Sequence, residues 1–579
     1  MSNFSRLTVF TLSILILIAI SGTAFAQWSS DSAVNLSICD GSGDQAVPHI
    51  AITSDNYCYT GWYDTRSGNY DVGLQLLDPD GMEQWDHNGI IVSSHPQNSW
   101  VMDWALITDS AGNAIVAFAD IRGGNSNIHA YKIDRDGNFL WGADGINITN
   151  NSDGKGPPSL VETNDGDIVV AWYASPSAGT PAIRVQRLTA AGAAQYEPNG
   201  VVVSEAVDTM PAGPVMAPSG VDGFILSYVP IYSFMDNRQI KAQLFNSSAQ
   251  PVWTNYLMVM DDGSVPMGHY FEMMSDDNHG AYFCWSVLSG MGFTVRAQHV
   301  NALGTESYTH NGQLVSTEPS YAQIAPGMTH NQVTGELTVL YIQQTGDQSQ
   351  KGVFGQRITP GGELLWGAYG LEILPVNTTN EGFVRALDTG DGVIGLCFQA
   401  PQSAYGQDEV VGFKLDNSGN FVWEPSIVGV STLPSSKDDL LAVIGTDDTA
   451  RAIWVDQRNG TPDVFGQNLN DDGSLGPGLS SVSVTIPTSI QLNQNHPNPF
   501  NPSTDIVFSL TTRQHALLEI FDSRGRVVCT LLNADTGPGS QTVRWDGQDN
   551  NGNQVTSGTY FYRLESGDSR QVRKMVLIK

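Results

Sequence analysis

The chain has 579 residues, with 59 acidic against 27 basic side chains and a net charge of −32, which excludes a nucleic-acid binder working through clustered Lys and Arg. Charged residues are only 15% of the chain, against roughly 25% in ordinary globular proteins, while 60 Gly and 28 Pro are spread throughout. Long helices, coiled coils and global disorder are excluded, and a turn-rich all-β protein with a large core is expected.

Residues 1–26 carry one positive charge, Arg6, an apolar stretch from Leu7 to Ile20 and an Ala24-Phe25-Ala26 ending. This is the layout of a cleavable signal peptide, too short for a comfortable bilayer span. No later segment reaches 18 uninterrupted apolar residues, so no transmembrane segment is expected. Five Cys make no disulfide framework, and Cys39 with Cys58, the nearest pair in sequence, is left open.

From residue 27 to 478 the chain repeats. One aromatic closes an apolar run in each unit: Trp62, Phe118, Trp172, Tyr228, Trp285, Tyr341, Phe398 and Trp454, spaced 54–57 residues apart. A second series follows a turn: Trp28, Trp85, Trp141, Tyr196, Trp253, Tyr308, Trp366 and Trp423, spaced 55–58. Within one unit, "PSLVET", "IVVAWYA", "PAIRVQRLT" and "GVVVS" read as four short strands separated by Gly- and Asp-containing turns. Four-stranded units at this period predict a β-propeller, here of eight blades. The second series starts before the first unit, and its next member would fall near Ser480. The last unit therefore lacks a strand, and the N-terminal strand closes the last blade.

Acidic Gly turns recur at Asp78, Asp134, Asp416 and Asp471. They lack the ligand pattern of a calcium loop and read as hairpin turns with Gly in the left-handed region; no metal and no cofactor are expected. In location they resemble the Asp-box hairpins of sialidase-type propellers, but Asp80 is adjacent to Gly81, and no function is carried over. The pattern aromatic-x-Asp-x-Arg-x-Gly occurs in blades 1, 2 and 8, as Asp64/Arg66, Asp120/Arg122 and Asp456/Arg458. Two readings stand: each Asp caps its own hairpin, or the exposed pairs form a ligand-binding strip for carboxylate or sugar hydroxyls.

Residues 479–489 read as a Ser/Thr linker. Residues 490–579 read as a small immunoglobulin-like β-sandwich with strands at 505–510, 516–521, 541–545, 559–564 and 574–578. Pro497-Asn498-Pro499-Phe500-Asn501-Pro502, the Trp545-Asp546-Gly547 turn, Gly558-Thr559-Tyr560 and the ending Lys574 to Lys579 resemble the C-terminal sorting domain of type IX secretion substrates. That domain is similar in turn to the immunoglobulin-like domain of flagellar hook-capping proteins. The resemblance implies secretion or display at the outer cell surface of a diderm bacterium, with the outer-membrane secretion machinery as partner. The repeats resemble those of secreted bacterial proteins with the same tail, which names no activity.

No nucleophile elbow, phosphate loop, zinc motif or His ligand spacing is present, so no catalytic residue is assigned. The first reading is a non-catalytic binding or adhesion propeller for an extracellular polymer or protein, and not for nucleic acid. The alternative is an extracellular carbohydrate-active hydrolase or lyase, because two carboxylates from distant blades suffice for glycoside chemistry. A clustered acid pair at one mouth of the ring favours the enzyme.

Overall fold

The computed structural model describes residues 27–95, 103–208, 210–231, 237–266, 271–289, 292–401, 406–477, 491–492, 495, 498–510, 514–536, 539–550, 552–567 and 569–579. The leader 1–26, the linker 479–489 and Pro497 lie outside the described residues. The chain divides into two compact units, Met1–Pro477 and Gly478–Lys579.

No helix occurs among the described residues, and those of the first unit form eight antiparallel sheets. Each repeat makes one sheet because its Gly and Asp turns send consecutive strands back along one another. The first strands of sheets 1 to 8 are Gln45–Ile52, Ala105–Thr108, Ser159–Glu162, Met210–Ser219, Glu272–Ser275, Ala322–His330, Thr379–Asp388 and Lys437–Ile444. First strands of neighbouring sheets pack on one another, and Lys437–Ile444 packs back on Gln45–Ile52. Ala322–His330 differs, packing on Ala281–Ser289 and Gly292–Val300 of sheet 5. The first strands therefore converge on one axis and the sheets close as a propeller. Its core is divided accordingly, with a separate buried cluster at each of the eight junctions.

The two aromatic series have different jobs. The first series sits on the second strands, which are buried along their length, as in Cys58–Asp64. The second series clips each sheet to the next. Nε1 of Trp28 donates to the Pro79 carbonyl at 3.2 Å, that of Trp85 to Arg135 at 3.0 Å, that of Trp253 to Ala302 at 3.1 Å and that of Trp423 to Asp471 at 2.9 Å. The acidic Gly turns are the receiving surface. Asp78 Oδ1 accepts the amides of Asp80 and Met82 and fixes the turn. Gly81 has φ 85°, and a Cβ there would lie 2.6 Å from the Trp28 ring, so only glycine lets the indole lie down.

Closure follows the sequence reading. Leu36–Cys39 pairs antiparallel with Asp463–Leu469 as the outer strand of sheet 8. Trp28, Leu36 and Ile38 then join Trp62 and Leu77 of sheet 1 in the last junction. Cys39 and Cys58 share that cluster as free, buried thiols, both pushed up to about 12 by burial.

The second unit is a sandwich of a three-stranded and a four-stranded sheet around one core. Val527–Thr536 is a strand that the sequence reading missed. Asp522 Oδ1 accepts the amides of Arg524 and Arg526, turning the chain at Gly525 into a hairpin. The motif residues form a seam. Phe500 is buried against Trp545, and its amide donates to the Val576 carbonyl. Asn498 Oδ1 accepts the Val576 amide, and the Tyr560 hydroxyl donates to the Thr556 carbonyl. Asn501, Pro502, Lys574 and Lys579 remain on the surface, and no helix of the described residues is long and apolar enough to cross a membrane.

Candidate functional site in the axial channel

The three Asp/Arg pairs form as ion pairs, at 2.7 Å for Asp64/Arg66, 2.5 Å for Asp120/Arg122 and 2.6 Å for Asp456/Arg458. They are not exposed pairs, and this corrects the sequence expectation: the Asp side chains are 1%, 0% and 0% accessible. Each Asp ends a fully buried second strand, so its carboxylate must be satisfied from within. Asp64 accepts from Trp62 Nε1 and from the Arg66 amide. Asp456 accepts from Ser435, Trp454 and the Arg458 amide. Burial pushes Asp456 up, but Arg458, Ser435, Lys437 and Trp454 together hold it below the usual carboxylate range.

Sheets 3, 4 and 5, which lack the Asp/Arg pattern, place a cation nearby by another route. Arg184, Lys241 and Arg296 stand on the third strands opposite Trp172, Tyr228 and Trp285. Arg184 donates to the Gly200 carbonyl and Arg296 to that of Asn311, as Arg122 does to Asp144. Beside Arg122, a cavity of ≈ 390 Å³ is lined by His95, His129, Asp144, Gly145 and Asn147 as well. The pairs thus serve hairpin and blade cohesion, with Arg122 retaining access to a hollow.

A second group, which sequence reasoning missed, gathers on the first strands and on the residue Asp103 leading into one of them, the elements that converge on the axis. His49 of sheet 1 binds Asp103, at the entry to sheet 2, with Nε2 to Oδ1 at 2.9 Å. Arg385 of sheet 7 lies 3.7 Å from Glu272 of sheet 5 and donates through Nε to the Leu440 carbonyl of sheet 8. Asp439 follows Asp438 in sheet 8. Its carboxyl is pushed up to about 6, first by burial and then by Asp438 and Asp103, with His49 and Arg385 pulling the other way. Burial also pushes Asp103 up, but the His49 imidazole and the Trp104 amide together hold it below the ordinary range. The Asp103 side chain is nonetheless 60% accessible.

The fold aims these groups through a bulge. Val47, Phe383 and Asp439 have φ of 50°, 53° and 52°, and pairing with the second strand skips at each of these places. The skip re-aims the residues that follow, as β-bulges do beside functional sites. A sequence signal existed: His49 to Asp103 and Arg385 to Asp439 are each separated by 54 residues, one repeat. Charged residues on or just before the first strands, separated by one repeat, are that signal.

Residues 503–569 match the family model of the FlgD Ig-like domain. No curated protein matches the chain. Among solved structures, the chain is similar to the polysaccharide lyase Uly1, at 11% identity and a TM-score of 0.41, covering 79% of this chain and 94% of that one. It is similar to a PL25 ulvan lyase at 9% identity and 0.39, covering 66% and 96%. An α-L-arabinofuranosidase from Fusarium graminearum follows at 12% and 0.35, covering 56% and 97%. The propeller assignment itself stands on the strand pairing and junctions described above.

Proposed function

We propose that the protein is an extracellular carbohydrate-active hydrolase or lyase on a propeller scaffold, working in the axial channel around His49, Asp103, Arg385 and Asp439. The observation that carries this reading is the split between two carboxyls of one cluster, Asp439 held up to about 6 and Asp103 held below the ordinary range. Carboxyls whose environments push them apart are suited to acid and base roles on one substrate. Burial raises the one and the His49 contact lowers the other, and two such carboxyls in one cluster favour the alternative of the sequence analysis over the non-catalytic reading. Incubating the full chain with a panel of polysaccharides tests it. Cleavage should fall about 100-fold or more in Asp439→Asn and Asp103→Asn at an unchanged melting temperature. No cleavage by the unmutated chain returns the protein to the binding class.

We also propose that residues 490–579 act as a type IX-like sorting domain, engaging the outer-membrane secretion machinery after the 1–26 leader is removed. The surface then becomes the working compartment. The ordered motif from Asn498 to Lys579 and the family match of residues 503–569 support this. A chain ending at 489 should fold and accumulate in the periplasm of the native host; normal delivery of that chain contradicts the sorting role.

A further inference from the structure

The hollow beside Arg122 lies on the third and fourth strands of sheet 2, Asn127–Ile133 and Ile146–Asn147, outward of the first strand. We propose that it is a binding site for an uncharged sugar, held through hydroxyl groups, and independent of the enzymatic reading of the channel. Sheet 2 departs from sheets 1 and 8 in one donor. In those two the buried Asp accepts an indole N–H, Trp62 to Asp64 Oδ2 at 3.2 Å and Trp454 to Asp456 Oδ2 at 3.0 Å. Sheet 2 has Phe118 in that place, with no N–H to give. Opposite Phe118 stands His129, where sheets 1 and 8 have Gly73 and Phe465. His129 Nε2 lies 3.4 Å from Asp120 Oδ1 and stands in for the missing indole.

That contact decides which nitrogen carries the hydrogen. Asp120 is ion-paired with Arg122, and a carboxylate only accepts. Burial pushes the His129 imidazole down to about 4 against the pull of Asp120, so near neutral pH its single hydrogen faces Asp120 on Nε2. Nδ1 is left as a bare acceptor. The His129 side chain is 5% accessible, and among the described residues Nδ1 has no hydrogen-bond partner. A buried acceptor without a donor is costly, and this one belongs to a residue lining a cavity of ≈ 390 Å³, a volume usual for small-molecule sites.

The rest of the wall narrows the ligand. The exposed Asp144 carboxylate, with His95 Nε2 at 3.6 Å, is a second acceptor. Arg122 spends Nε, Nη2 and one hydrogen of Nη1 on Asp120, Tyr131 and the Asp144 carbonyl, leaving the other Nη1 hydrogen as a donor. Asn147, exposed and opposite His129 in the strand pairing, adds an amide that can donate and accept. An anion has no hydrogen for Nδ1 and meets the Asp144 carboxylate. A cation cannot accept from Arg122 and meets its guanidinium. A hydroxyl both gives and accepts a hydrogen, and a sugar ring carries several side by side.

Isothermal titration of the full chain with galactose, glucose, mannose, arabinose and xylose, and separately with sulfate, acetate, calcium and zinc ions, tests the site. The expected result is saturable binding of an uncharged sugar, weakened about tenfold or more in Asp144→Ala and in His129→Phe. Asp144→Ala should melt as the unmutated chain does, because the side chain is exposed, and it decides alone if His129→Phe does not fold. Binding of none of the sugars, or equal binding by Asp144→Ala, would overturn the proposal. So would Asp144-dependent binding of one of the ions in place of every sugar. Sugar binding lost in Asp439→Asn but kept in Asp144→Ala would move the ligand to the channel, overturning this site while leaving the enzymatic reading in place.

Discussion

Replacing Trp28 by Ala attacks the junction at which the ring closes. Trp28 is 1% accessible, packs on Gly81, and donates through Nε1 to the Pro79 carbonyl while its amide donates to Asp80. Truncating a buried Trp costs about 3–5 kcal/mol, because the lost burial is joined by the cavity left behind. The lost indole bond adds about 1 kcal/mol, the Pro79 carbonyl keeping only the longer bond from Arg451 Nη2 at 3.4 Å. Trp366 is the internal control. It makes the same clip to Asn417, but at 3.4 Å and with its side chain partly exposed, so Trp366→Ala should cost clearly less. Urea unfolding of both variants, followed by far-ultraviolet circular dichroism, compares them directly. A Trp28→Ala loss below about 1 kcal/mol, or no larger than that of Trp366→Ala, would refute the closure reasoning, since an open ring has no special use for its first tryptophan.

Two further predictions concern buried charge. Glu381, on the first strand of sheet 7, is 1% accessible, and burial pushes its carboxyl up to about 7, with Gln399 and Lys351 opposing. A raised carboxyl favours the folded state fully below its ordinary value of 4.5 and loses that contribution as pH rises through about 7, so roughly 3 kcal/mol should drain away by about pH 8. Glu381→Gln should flatten this dependence of the urea midpoint; a wild type equally stable at both ends sinks the assignment. Removing Arg66 leaves Asp64 buried without its cation, which costs about 3–5 kcal/mol, whereas Asp456 keeps Lys437 at 3.3 Å and should lose less when Arg458 is removed. Melting curves of the Arg→Ala variants should therefore shift, more for Arg66 than for Arg458, and unshifted curves would return these residues to a surface role.

Much of the propeller was legible because each repeat uses two aromatics for two separate tasks. Trp172 and its equivalents fill the sheets, while Trp141 and its equivalents reach across to a glycine turn in the next one. A residue type required twice per unit leaves two offset series, and the offset revealed the closing strand Leu36–Cys39. The strand Val527–Thr536 was not legible, because its second half, Asn533-Ala534-Asp535-Thr536, carries residue types that read as a turn. The channel was missed for a different reason. His49, Asp103, Glu272, Arg385 and Asp439 come from five sheets, and no two share a local motif. Their meeting depends on ring closure and on a bulge with a left-handed residue, neither of which has a composition cue. The Asp/Arg pattern was legible instead through a strong local motif, and its Asp residues accept the Arg amides of their own hairpins.

The central claim is that the channel carries an acid and a base of different strength, and a pH–rate profile tests it most directly. Asp439, raised to about 6, works as an acid only while protonated, so kcat/KM on a cleaved polysaccharide should fall as pH rises through about 6. Asp103, held below the ordinary carboxylate range by His49 against the effect of burial, should place the acidic limb lower than an unperturbed carboxylate would. The account predicts that Asp439→Asn retains the fold, loses most of the rate and no longer shows the limb near 6. An Asp439→Asn protein that is as active as the unmutated chain, with the same profile, would contradict it.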